Sequence, residues 1–92
     1  MVIIKSKSVE EVSLYPTYRV ILFNDDINDF MHVLNSVEYV FRLSREEAFR
    51  ITMNAHCFWS AVCQGKLSME VAEHRAQQLK SFGLGATFER DG

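Results

Sequence analysis

The sequence predicts a small α+β domain: a three-stranded antiparallel sheet covered on one face by three helices, in the order β-α-α-β-α-β. Two observations carry this expectation. Short runs rich in β-branched and aromatic residues alternate with longer segments whose apolar residues recur at helical spacing. Each helical segment also opens on a residue able to cap it. Ninety-two residues, 48% of them hydrophobic, with seven Phe, four Gly and one Pro, are enough for one compact core and not for two.

Residues 1–16 mix charge with Ser and keep no sustained period. They read as a flexible N-terminal tail, with Pro16 marking the entry to a domain spanning 17–92. Thr17 to Phe23 is nearly continuous in apolar residues, the pattern of a central strand. Asp29 can cap the segment that follows, in which Phe30, Val33, Leu34, Val37, Val40 and Phe41 share one face. Ser44, with Glu47 three residues on, forms a capping box and opens a second helix. Ala48, Ile51, Thr52 and Ala55 make its inner stripe, and it is expected to end about His56. Cys57 to Cys63 reads as the second strand and Gln64-Gly65 as a turn. Ser68 caps a third helix with Glu70 in its first turn, Ala72, Ala76 and Leu79 facing inward and Gly83 stopping it. Ala86 to Arg90 closes the sheet.

Ten Lys and Arg against twelve Asp and Glu, with no basic run and no interleaved basic and aromatic stripe, argue against nucleic acid as a partner. The longest uncharged stretch, residues 51–65, is interrupted by Asn54, His56 and Gln64 and is too short to cross a bilayer. The apolar start Met1-Val2-Ile3-Ile4 is too short for a signal peptide. A cytoplasmic domain is expected. Cys57 and Cys63, placed on one strand, would stand roughly 20 Å apart and read as small apolar residues rather than a bridge.

The residues with chemistry to offer gather where the first strand stops. Asn24 supplies an amide carbonyl, and Asp25 and Asp26 supply carboxylates that only accept. The plain reading of such a tripeptide is an Asx turn with solvated charges. Here a buried strand precedes it and an apolar helix face follows, which sets the acceptors beside an apolar wall, as in a pocket for a cationic group. His56, one turn beyond Thr52 on the same helix face, is placed as the other half of that pocket; its alternative role is a helix C-cap. His56 and Cys57 are adjacent and cannot face each other as a thiol dyad. Asp25, Asp26 and His56 contain no pair at metal-ligand spacing, so neither metal nor cofactor is expected. His32 and His74 fall on the polar sides of their helices and add nothing.

The stretch Tyr18-Arg-Val-Ile-Leu-Phe-Asn-Asp-Asp26, then Ala55-His56, then Met69-Glu70-Val71-Ala72-Glu73, resembles the ClpS family over residues 17–90. That resemblance implies an adaptor that binds N-terminal degrons, a free α-amine beside a bulky apolar first residue, and delivers them to a Clp AAA+ unfoldase of ClpA or ClpC type. It implies that Asn24, His56 and the carboxylates, chiefly Asp26 with Asp25 supporting, hold the amine directly or through water, and that Asn28, Phe30, Val33, Thr52, Ala55 and Leu84 hold the side chain and peptide backbone. Glu70 and Arg75 would dock the unfoldase's N-terminal domain. The family usually carries Met where Phe30 and Thr52 stand and a larger aliphatic at Ala55, so Leu or Phe is the expected first residue. A cytoplasmic monomer, or a stromal one in a plastid-bearing organism, is implied. Two other functions fit the residues: a docking scaffold of the same fold without degron binding, and a hydrolase using Asp26 and His56.

Overall fold

The computed structural model describes residues 16–92. The expected N-terminal tail, apart from Pro16, lies outside the described residues. The elements follow the predicted order: β1 (Tyr18–Phe23), α1 (Phe30–Phe41), α2 (Arg45–Phe58), β2 (Ser60–Leu67), α3 (Met69–Ser81) and β3 (Gly85–Arg90). β1 is central, with β2 and β3 paired antiparallel on either side. Among the described residues no helix is long and apolar enough to cross a membrane.

β1 works by alternation. Val20 and Leu22 are fully buried and pack into one cluster with Val37 of α1, Ile51 of α2 and Leu79 of α3. Ile21 and Phe23 turn to the opposite face, where Phe23 is exposed. The run that looked continuously apolar is therefore buried on one face, because helices cover only that side of the sheet.

All three expected caps are in place. The Asp29 side chain accepts from the Met31 N–H, that of Ser44 from Glu47 and that of Ser68 from Val71. The capping box is only half made, since the Glu47 carboxylate turns along the helix to Arg50, 2.7 Å away, instead of back to the cap. Gly83 does end the third helix: at φ 87° it donates to the Lys80 carbonyl, and the next N–H, of Leu84, reaches Leu79. Only glycine adopts this left-handed turn freely.

The junction after α2 departs from expectation in three ways. α2 runs through Cys57 to Phe58 and stops at Trp59, which takes a left-handed conformation at φ 73°. Its carbonyl receives the Asn24 N–H at 2.9 Å. Cys57-Phe58-Trp59 has strand-like composition, but helix continuation and this tertiary bond override it. β2 accordingly begins at Ser60, and Cys57 sits exposed on the helix while Cys63 is buried in the strand. Burial pushes the Cys63 thiol up to about 12, so it stays protonated and inert. Gln64-Gly65 is not a turn but part of β2, beside two register shifts against β1. Asp91 holds this bulge by accepting from the Lys66 N–H (2.9 Å) and the Thr17 hydroxyl (2.6 Å).

Candidate functional site

β1 delivers its last residues into a cleft of about 260 Å³ between the loop 24–29, α1 and α2. One end is polar, lined by Asn24, Asp25, Asp26, Asn28 and His56. The other is apolar, lined by Phe30 and Val33 of α1, Thr52 and Ala55 of α2, and Leu22 of β1, with the end of the strand at Phe23 bordering it. Every residue expected at the amine end is there, and so is every slot residue except Leu84. Leu84 is buried in the core cluster and does not line the cleft.

The loop is shaped by its own carboxylate. Asp25 Oδ1 accepts from the backbone N–H groups of Ile27 (3.0 Å) and Asn28 (2.8 Å), and Oδ2 from the Asn28 side-chain amide (2.9 Å). The same amide nitrogen donates to the Gly83 carbonyl at 2.8 Å, pinning the loop to the α3–β3 junction. The backbone and then the side chain of Asn28 hold the Asp25 carboxyl below its ordinary range. With three of roughly four acceptor sites occupied, Asp25 organises the loop and has little left for a ligand. The Asn28 N–H is likewise spent, so the backbone group it can offer is its carbonyl. Asp26 is exposed at the cleft, where its carboxylate can meet a cation.

His56 reaches the polar end from the last turn of α2. One turn earlier, Thr52 lines the cleft while its hydroxyl donates to the Ala48 carbonyl at 2.8 Å. With the proton committed within the helix, the methyl is what Thr52 adds to the apolar wall. Across from it, Phe30 forms an edge-to-face pair with Phe49 of α2, centroids 5.6 Å apart and planes at 71°.

Leu22, Phe23 and Phe49 were missed by the sequence reading. Leu22 and Phe23 could have been inferred from their place directly before Asn24. Phe49 stands three residues before Thr52 and seven before His56, on the same side of α2, and that spacing was its signal.

Glu70 and Arg75 lie away from the cleft, on α3. Glu70 is exposed in the first turn. Arg75 is half-buried and donates to the Val40 carbonyl at 3.1 Å, its guanidinium 5.8 Å from the centre of the Phe41 ring. It therefore ties α3 to the end of α1. His32 is also engaged, with Nε2 2.8 Å from the Phe82 carbonyl.

A small α+β domain with acceptors and an apolar wall in one cleft has the construction of a binding module. The family model described as ATP-dependent Clp protease adaptor protein ClpS matches residues 13–87. A ClpS adapter protein of the Clp protease from Xanthomonas oryzae pv. oryzae is 37% identical over 75 residues, covering 82% of this chain and 70% of the relative. The structure of Agrobacterium tumefaciens ClpS2 bound to L-phenylalaninamide superposes with a TM-score of 0.79 at 32% identity, over 83% of this chain and 98% of that one. The chain belongs to the ClpS family of Clp protease adaptors, and that family is one of adaptors rather than catalysts.

Proposed function

We propose that this protein binds the N-terminal residue of peptides and proteins bearing a free α-amine and a bulky apolar first side chain, and passes them to a Clp unfoldase. One observation carries the reading: a single cleft joins acceptors at its polar end, Asp26 and His56 among them, to an apolar wall. Asn24, Asp26 and His56 hold the ammonium, directly or through water, while Asp25 keeps the loop in shape. The first side chain enters between Phe30, Val33, Thr52 and Ala55, and the Asn28 carbonyl steadies the peptide backbone. The relative bound to phenylalaninamide, a free amine beside an apolar ring, supports this assignment.

The magnitudes are adequate. Charge-assisted hydrogen bonds contribute about 1.5–3 kcal/mol each, and burial of a Leu or Phe side chain about 1.5–3 kcal/mol. After ordering costs, micromolar affinity results. Acetylation removes the charge and most of the donors, so specificity needs nothing beyond the first residue.

With Phe30 stiffer than a methionine would be, Leu and Phe are the preferred first residues. The unfoldase, of ClpA or ClpC type, docks through its N-terminal domain on α3 around Glu70 and Arg75, and residues 1–16 assist delivery. The adaptor acts as a monomer in the cytoplasm or plastid stroma.

Fluorescence anisotropy with peptides differing only in the first residue (Leu, Phe, Trp, Ala), beside an N-acetylated Leu control, tests the reading. Saturable binding of the Leu and Phe peptides with none for the acetylated one is expected. Equal binding of free and acetylated peptides rejects it.

A further inference from the structure

Phe49 has no place in the polar or apolar lining, yet it is the aromatic partner of a residue that does. Its ring meets Phe30 edge to face at 5.6 Å, although Phe49 itself is 49% exposed. Half-exposed on the helix surface, Phe49 has in Phe30 a specific aromatic partner. It is not among the cleft's lining residues, so it backs Phe30 from outside the cleft.

Geometry explains what this backing does. Phe30 is the first residue of α1, just after the Asp29 cap, and its ring packs partly against the core cluster and partly against Phe49. The opposite wall is made of the small residues Thr52 and Ala55, both buried and both fixed by helix packing. The facing wall is Phe30 with Val33, and of the two Phe30 is the one whose ring rests edge to face on Phe49.

Resting on the degron-binding reading above, we propose that Phe49 is a positioning residue that sets first-residue specificity: by holding the Phe30 ring against the slot it keeps the opening narrow, admitting Leu and discriminating against the larger indole of Trp. The edge-to-face pair is of the strength that shifts an equilibrium by roughly threefold to tenfold. That is the change in discrimination expected when it is lost.

The test compares the wild type, Phe49→Ala and Phe49→Tyr, each measured by anisotropy with Leu-first and Trp-first peptides and with the N-acetylated Leu control. Thermal melting of all three proteins establishes that they are folded. Phe49→Ala is expected to lower the Leu-over-Trp affinity ratio about threefold to tenfold, while Phe49→Tyr, which keeps the ring edge, retains the wild-type ratio. Acetylation should still abolish binding in every variant. A wild type that binds free amines but shares its Leu-over-Trp ratio with Phe49→Ala overturns this inference and leaves the degron reading standing. A wild type that binds no free-amine peptide overturns both.

Discussion

The two ends of the cleft are built by different physics. The polar end is a network of short-range hydrogen bonds: Asp25 gathers Ile27 and Asn28, and Asn28 reaches on to Gly83. The apolar end has almost no such bonds and is shaped by side-chain packing, with Phe30 and Val33 of α1 facing Thr52 and Ala55 of α2. Hydrogen bonds to a charge are directional and costly to lose, whereas apolar contacts grade smoothly with size. The polar end should therefore decide whether a ligand binds, and the apolar end which one.

The largest effects should come from the polar end. Asp26→Ala or His56→Ala removes a charge-assisted bond, and peptide affinity should fall roughly tenfold to a hundredfold. A loss under twofold for both would place the amine elsewhere. A pH dependence follows from the ligand: an α-amine ordinarily titrates near 7.7–8.0, so titration calorimetry should show binding declining above that pH.

Asp25 tests the same end through the fold. Asp25→Ala leaves Ile27 and Asn28 without their local acceptor, and urea melts at pH 7 should show a loss of about 1–2 kcal/mol. The dependence on acid has a definite sign. The folded-state pKa of Asp25 is depressed, so its contribution is fully present above the ordinary value of 3.8 and is lost as pH falls through the lower, folded value. The gap between wild type and Asp25→Ala should accordingly close in acid below that range. A gap that persists unchanged there would mean the carboxylate is not what organises the loop.

How much of this was legible in the sequence also divides along the two ends. Asn24, Asp25, Asp26 and Asp29 announced themselves because polar residues closing an apolar strand act locally, through turns and caps. Even so, residue pattern alone did not show that Asp25 would be spent on the loop, since that depends on where Asn28 and Gly83 meet. The apolar end was harder. Phe30, Val33, Thr52 and Ala55 could be placed on inner helix faces, but Leu84 went to the core, and the contact of Phe49 with Phe30 arises only through packing between two helices. The α2–β2 junction failed for the same reason: Trp59 stops the helix in a conformation that the bond from Asn24 supports, and nothing local signals it. Gly65 carried a genuine signal for irregular backbone, but the bulge it marks is set by Asp91, far along the chain.

The smallest expected effect sharpens the contrast from the apolar side. Thr52→Val keeps the shape of the wall and removes a hydroxyl already committed to Ala48. Peptide affinity should stay within about twofold of wild type, because the wall offers size rather than hydrogen bonds. A tenfold loss would show the hydroxyl to be a ligand contact.

The most direct measurement is a thermodynamic cycle that crosses wild type and Asp26→Ala with a Leu-first peptide carrying either a free or an acetylated amine. If the polar end reads the ammonium, acetylation should cost the wild type at least tenfold in affinity and the variant far less, so the two changes are coupled. An equal cost of acetylation in both proteins would contradict the account, because it would mean that Asp26 and the amine never meet.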